Sequence, residues 1–574
     1  MADQTADQTG APSLEDMQHW TWVMGRAQQM MLEAGLGAGV PVIPGFNDPA
    51  TLARVGDFWA DSVKLWQRFL DPKAGEGGGA PDKEAIKDRR FKSEAWQNPV
   101  FDWIRQSYLL IADQMLKQVD ALEGLDPKQR EQFRFATQGF IDAMSPSNFA
   151  FTNPEVIQKT IETRGENLLK GLSNMLNDMS KGQLTHTDSD AFAVGRNLAT
   201  TPGKVIHRTR LFELIQYTPT TDTVLETPLV IFPPWINRFY ILDLTPEKSF
   251  IRWAVDQGLT VFMVSWKSAD ASLVDISWDD YVLAQIEAID VIRDQLDVES
   301  VHAIGYCVAG TTLAATLAYL TARGEADKVR TATFFTAQVD FADAGDLLNF
   351  VDDAQLDMIR QLSPEGYLDG RYMAMTFNLL RGRDLIWNYV ANNYLMGQDY
   401  APFDLLHWNG DTTNLPAKWH LSYLTDLYRD NLLVRPGALA IAGTPIDLTK
   451  VTIPSYIQAG REDHIAPAES VWKITHLFAG PLKFVLAGSG HIAGVVNPPA
   501  AGKYQYWTND KPAATLAEFV AGATETKGSW WPDWIGWLRG QDATEVKVKG
   551  ARVPGKGKKR PAIADAPGDY VLAR

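Results

Sequence analysis

The tightest constraint on this chain lies at residues 300–322, SVHAIGYCVAGTTLAATLAYLTA, around its one cysteine, Cys307. Residues 301–304 form a short apolar run with a β-branched residue at each end; Gly305 breaks it, and small residues from Ala309 to Ala318 continue at helical spacing. The pattern predicts a strand, a sharp turn and a helix, with Cys307 at the turn. Small residues two positions either side, Gly305 and Ala309, let the backbone turn tightly enough to present the side chain at the strand's end. A lone cysteine is ordinarily a small buried hydrophobe, but one at such an elbow is placed as a nucleophile. The stretch has no Asp, Glu, Lys or Arg over 23 residues, which is long enough to span a membrane. Ser300, His302, the threonines and the two glycines argue against a span, and an apolar strand running into a buried helix accounts for the missing charge.

Length and composition bound the rest. A chain of 574 residues exceeds a single hydrophobic core, so two domains are expected. A hydrophobic fraction of 45%, with 19 Trp and 25 Phe, marks a globular protein rather than a disordered one. The formal net charge of -16 argues against a nucleic-acid partner, which requires a basic face. With no charged-then-apolar leader in residues 1–39, no membrane span and no possible internal disulfide, the chain reads as cytoplasmic.

Residues 1–190 are expected to form a helical N-terminal domain. Within it, residues 1–12 and the glycine-rich 74–83 read as flexible, and the glycines follow no strand, so they form no phosphate loop. Trp20, Met24, Ala27 and Met31 share one helical face, as do Trp59, Val63, Trp66 and Leu70; both stripes fit core packing better than partner contact. Phe101, Ile104, Tyr108, Ile111 and Met115 recur at steps of three and four. From 191 to 574 short apolar runs alternate with helical segments. The candidate strands are 211–217, 228–232, 260–265, 301–304, 331–336, 453–458 and 482–486, with helix-length segments such as 278–296 between them. That alternation predicts an α/β fold with a mostly parallel sheet covered on both faces. Residues 341–448, rich in Trp, Tyr and Asn, are a long insertion expected to cap the site.

An elbow nucleophile needs a base and an orienting acid. In an α/β-hydrolase fold they follow it in the order nucleophile, acid, histidine, each on a loop after a strand. Among the nine histidines, His19, His186 and His207 come too early, His302 lies inside the strand before the elbow, His407 and His420 belong to the insertion, and His476 falls in a predicted helix. His491, in the loop GSGHIAG after 482–486, sits where the base belongs. The loop after 453–458 reads AGREDHIAP, which makes Asp463 the acid in preference to Glu462 and the neighbouring His464. Oxyanion donors are expected from the backbone of Val308 and from PPWIN at 233–237; prolines donate nothing, leaving Trp235 or Ile236. No C-x-x-C or H-E-x-x-H motif calls for a metal.

Several segments together resemble the polyhydroxyalkanoate synthases, particularly the class I single-chain type. They are GYCVAG at 305–310, FPPWINRFYILDL at 232–244, HWNGDTTNLPAKWH at 407–420, REDHIAP at 461–467, SGHIAGVVNPP at 489–499 and the ending APGDYVLAR at 566–574. The resemblance covers the chain from about residue 90 onward. It implies an α/β-hydrolase catalytic domain that dimerises, and a 3-hydroxyacyl-coenzyme A substrate, short-chain such as 3-hydroxybutyryl. It further implies a growing polyester chain and granule surface as partners, and no bound cofactor. It maps Cys307 to the acyl-carrying nucleophile, Asp463 to the acid and His491 to the base, and Ala309 stands where many members carry glycine. Trp235, Asn237, Trp387, Trp408, Trp419 and His464 are candidates for the substrate channel. Whether His491 or Asp463 deprotonates the 3-hydroxyl is left open by the residues. The same triad acting on water would make a thioesterase or esterase; the insertion and tail blocks of the resemblance favour polymerisation.

Near the C-terminus, Trp530, Trp531, Trp534 and Trp537 recur at helical spacing, as core packing in preference to a docking stripe. Lys547, Lys549, Arg552, Lys556, Lys558, Lys559 and Arg560 read as a solvated basic tail rather than a site for coenzyme A phosphates.

Overall fold

The computed structural model describes residues 88–573. The expectations for residues 1–12, for the stripes within 20–31 and 59–70 and for 74–83 lie outside the described residues. The described residues fall into two compact units, divided between Ile141 and Asp142. In the first, helix Pro99–Asp120 begins on a proline, whose missing N–H has no helical partner to lose, and the Asn98 side chain caps it by accepting from Val100 N at 3.1 Å. Phe91 packs edge-on against Trp96 and Tyr108, with ring centres 4.9 and 6.0 Å away, and the Tyr108 hydroxyl donates to Ile141 O at 2.8 Å.

The second unit is built on an 11-stranded sheet. Its strands are β1 (Gly203–Arg208), β2 (Phe212–Tyr217), β3 (Leu229–Phe232), β4 (Val261–Trp266), β5 (Val301–Tyr306), β6 (Val329–Phe335), β7 (Ser455–Gly460), β8 (Leu482–Ala487), β9 (Gln505–Thr508), β10 (Thr524–Lys527) and β11 (Ala564–Asp565). The spatial order is β10-β9-β8-β7-β6-β5-β3-β4-β2-β1-β11. The stretch from β8 to β4 is parallel throughout, and the remaining pairs are antiparallel. Central strands bury both faces, which is why they read as continuous apolar runs. In β3, Val230 and Phe232 enter one core while Leu229 and Ile231 enter the other. Each such side chain stabilises the fold by about 1.5–3 kcal/mol relative to exposure.

All seven strands expected from the apolar runs are present, and helix Trp278–Leu296 lies where its spacing placed it. Residues 300–322, the stretch long enough to be a span, are a buried strand and a buried helix, Val308–Ala322. No helix among the described residues is long and apolar enough to cross a membrane. β1, β9, β10 and β11 have no counterpart among the expected strands, because strands away from the parallel centre need no apolar run; β10, Thr-Glu-Thr-Lys, is exposed along its whole length.

The chain leaves the sheet after β6 and returns at β7, and the intervening segment holds helices Asp353–Gln361, Gly370–Leu380, Asp404–Gly410 and Ala417–Tyr423. Trp530, Trp531 and Trp534 are fully buried against Phe250, Phe335 and Trp253, so this aromatic stripe is core. The basic segment is less solvated than its composition implies. Arg552 is buried and donates to Leu225 O, Glu226 O and Thr260 Oγ1, and Lys559 pairs with Asp294 at 2.8 Å.

Candidate active site

Cys307 stands between the end of β5 and the first residue of helix Val308–Ala322, with φ 53° and ψ -126°. Such a conformation costs a non-glycine residue about 1–3 kcal/mol. It is held because the Cys307 N–H donates to Phe335 O of the adjacent strand at 2.9 Å, while Cys307 O accepts from Gly310 and Thr311 N. The crossing of strand and helix requires glycine at two positions. A Cβ on Gly305 would lie 2.5 Å from Gly310 Cα, and one on Gly310 would lie 2.4 Å from Ala337 Cβ. The tight pair is therefore Gly305 with Gly310, and Ala309 fits within the buried helix.

The acid and the histidine come from neighbouring loops after β7 and β8. Glu462 N donates to Ser489 O at 3.0 Å and Arg461 N to Ala487 O at 2.8 Å, which ties the two loops together. Asp463 is buried; its Oδ1 accepts from Ile465 and Ala466 N at 2.8 and 3.0 Å, and its Oδ2 meets His491 Nδ1 at 2.7 Å. Glu462 points to solvent. Burial opposes charge on His491, but the Asp463 carboxylate and the Cys307 sulfur, which also hydrogen-bonds the ring, outweigh it and hold the imidazole well above its usual range. The Tyr306 hydroxyl fixes the loop by donating to His491 O at 3.0 Å.

Cys307 is half-buried and lines a cavity of about 370 Å³ whose wall carries no Asp, Glu, Lys or Arg. Most of that wall comes from the insertion between β6 and β7. Val308 and Ile236 line it beside Cys307. The N–H of Val308, at the first helical position, has no intrahelical acceptor, as an oxyanion donor requires. The 233–237 loop is fixed from the insertion: Thr413 Oγ1 lies 2.7 Å from both Trp235 O and Ile236 O, and Asn237 pairs with Thr412. Next to it, Arg238 is buried, bonds Asp411 Oδ1 at 2.7 Å and donates to Ala573 O at 2.7 Å and Tyr570 O at 3.3 Å. Among the described residues, no three His, Cys, Asp or Glu side chains converge as a metal site requires.

The channel candidates divide. Trp419 lines the cavity, but Trp235, Asn237, Trp387, Trp408 and His464 are absent from its wall. Trp235 instead stacks on Tyr281 with ring centres 3.8 Å apart, and Trp408 donates to Arg238 O at 2.7 Å. His464 turns a buried Nδ1 into protein, and burial pushes its pKa down. Sequence reasoning passed over His420, Tyr423 and Tyr428, which do line the cavity. His420 is fully buried, with a pKa lowered to about 4 by desolvation. Trp419 and Tyr423, four apart on one helix, were the signal available.

Two family models match this chain. Residues 87–254 match the N-terminus of poly-beta-hydroxybutyrate polymerase (PhaC), and residues 229–498 match the alpha/beta hydrolase fold. The poly(3-hydroxyalkanoate) polymerase of Methylorubrum extorquens is 47% identical over 91% of this chain and 89% of its own length. The polymerase subunit PhaC of Rhizobium meliloti (strain 1021) is 44% identical over 91% and 88%, and that of Cupriavidus necator 43% over 96% and 95%. With its sheet, its elbow and relatives of this similarity over nearly their whole length, the chain belongs to the poly(3-hydroxyalkanoate) polymerase family, on an α/β-hydrolase fold.

Proposed function

We propose that this chain polymerises 3-hydroxyacyl units, delivered as coenzyme A thioesters, through a covalent intermediate on Cys307. The observation that carries the reading is Cys307 on a strained turn, facing an uncharged cavity, beside a histidine already bonded to a buried carboxylate. The names and identities of the relatives support the same reading.

In the first step Cys307 Sγ attacks the thioester carbonyl. A carbon–sulfur bond to the enzyme forms, the bond to coenzyme A breaks, and His491 takes the thiol proton and returns it to the leaving thiolate. One thioester replaces another, so the acyl group stays activated; a serine ester would be less reactive. The sequence has no second cysteine, so within one chain the next unit arrives as its coenzyme A thioester. Its 3-hydroxyl attacks the enzyme thioester, the ester carbon–oxygen bond forms, Cys307 leaves, and the hydroxyl proton goes to a base. We assign that base to His491, because the Asp463 side chain is wholly buried and both its oxygens are occupied. Thioester exchange onto Cys307 then restores the chain-bearing enzyme and frees coenzyme A. The tetrahedral oxyanion at each step would be held by the N–H of Val308 and of Ile236.

A largely apolar wall without charged side chains favours polymerisation over hydrolysis, since a dry site protects the acyl-enzyme from water. The partners in this reading are 3-hydroxybutyryl-coenzyme A or a close relative, the growing polyester, the granule surface and a second copy of the chain, in the cytoplasm. The test is incubation with 3-hydroxybutyryl-coenzyme A, with thiol release and product recorded together. Insoluble polyester with release is expected. Release with soluble 3-hydroxybutyrate alone would make the chain a thioesterase. Cys307→Ala should abolish both release and adduct, and an acyl adduct on any other residue would refute the assignment.

A further inference from the structure

Gln338 lies beside the nucleophile yet takes no part in the triad. It follows β6, three residues past Phe335, whose carbonyl accepts from the Cys307 N–H at 2.9 Å. Its own carbonyl accepts from Thr311 Oγ1 at 2.7 Å, and Thr311 N donates to Cys307 O at 3.0 Å, so the residue is pinned to the first turn of the nucleophile's helix. The side chain lines the Cys307 cavity and is 4% exposed. Its Nε2 donates to the Tyr428 hydroxyl at 3.3 Å, which orients the amide, while Oε1 is buried and meets no donor among the described residues. Tyr428, from the insertion, packs on Phe341 with ring centres 4.7 Å apart, and burial together with the Cys307 sulfur pushes its pKa up and keeps the hydroxyl neutral. We infer that Gln338 Oε1 receives the 3-hydroxyl of the acyl unit being loaded onto Cys307, and so sorts hydroxyacyl from plain acyl thioesters. The inference rests on the polymerase reading above.

Buried polar atoms are nearly always paired, and an amide oxygen can only accept. Thr336 and His420 also line the cavity, with Oγ1 and Nδ1 likewise unpartnered among the described residues, but a hydroxyl or an imidazole nitrogen can donate or accept and so demands no one kind of group. Gln338 Oε1 demands a donor. The acyl half of a 3-hydroxyacyl thioester has one, its hydroxyl; the carbonyl and the alkyl carbons have none. Coenzyme A carries amide N–H groups, but every acyl-coenzyme A shares them, and they cannot tell one acyl group from another. A plain acyl unit would leave Oε1 buried without a partner, and a site built to pair a hydroxyl rejects the analogue that lacks it. A carboxamide also suits loading better than a carboxylate. It accepts the hydrogen bond without taking the proton, so the hydroxyl stays intact for His491 to deprotonate at elongation. Sorting matters because a unit without a 3-hydroxyl has no nucleophile with which to extend the chain.

The experiment compares loading of Cys307 by 3-hydroxybutyryl-coenzyme A and by butyryl-coenzyme A in the full chain, with enzyme in excess, reading coenzyme A release and the acyl adduct by mass. The unsubstituted chain should load the hydroxyacyl group faster by about tenfold or more. Gln338→Met, which keeps the side chain's length but removes the amide oxygen, should slow hydroxybutyryl loading about tenfold and butyryl loading far less, so that the preference collapses. Tyr428→Phe, which frees the amide to turn, should shrink the preference in the same direction. Equal slowing of both substrates in Gln338→Met overturns the proposal, because it would put Gln338 on coenzyme A or in the fold alone. A preference unchanged in either folded variant overturns it too, as does an unsubstituted chain that loads both substrates alike; if Gln338→Met does not fold, Tyr428→Phe decides. If neither substrate acylates Cys307 in the unsubstituted chain, the polymerase reading itself fails and the sorting role with it.

Discussion

His491 shows how neighbours at atomic distance set a residue's behaviour. Burial alone would leave its ring neutral, and the Asp463 carboxylate at 2.7 Å reverses that. Asp463→Asn should therefore drop the His491 titration below its usual range of about 6.5, read by NMR of the ring. Because the folded-state value is raised, the pair's contribution to stability is complete below about pH 6.5 and is lost as pH rises through the raised value. The gap in urea midpoint between wild type and Asp463→Asn should narrow over that window, and a gap constant with pH would contradict the coupling. These residues were legible because the loops carrying them follow apolar runs in a fixed order. His420 was not: it sits on the same wall as Cys307, yet burial of a histidine by an insertion leaves no periodic trace.

At the scale of elements, the elbow is a close crossing of strand and helix. Gly310→Ala would force its methyl against Ala337 Cβ and Gly305 O, at 2.4 and 2.7 Å, so it should lower stability by about 1–3 kcal/mol in urea unfolding. No change in midpoint would mean that the crossing has slack. The 233–237 loop depends on the insertion in the same local way. Thr413→Val removes the hydroxyl that bonds Trp235 O and Ile236 O, and on the proposed reading, in which this loop carries a transition-state donor that does not touch bound substrate, it should lower kcat about tenfold with little change in KM. A rise in KM alone would argue for a role in binding. The parallel centre of the sheet could be read from its apolar runs. The insertion's role in fixing that loop could not, since Trp235 and Thr413 lie 178 residues apart and share no pattern.

At the scale of the molecule, the second unit is fastened by its last described residues. Glu213, fully buried, accepts from Asp569 and Tyr570 N at 3.0 Å, and Arg238 holds Tyr570 O and Ala573 O while paired with Asp411. Arg238→Met would leave Asp411 without its buried cation and should cost about 3–5 kcal/mol, with faster amide exchange in residues 564–573 than elsewhere in the sheet. Slow exchange there would show that β11 alone secures the segment. Composition marked 547–560 as a basic tail, but whether such a cation is solvated or buried, as Arg552 is, depends on carbonyls brought near only by folding. The Arg238 clasp also orders events in time. Its bond to Ala573 closes a separation of 335 residues, among the slowest kinds of contact to form, because the entropy of a long loop is lost before any bond is gained. The peptide beside Ile236 is thus settled late, so on the proposed reading a newly made chain would carry its nucleophile before it carried a finished oxyanion site.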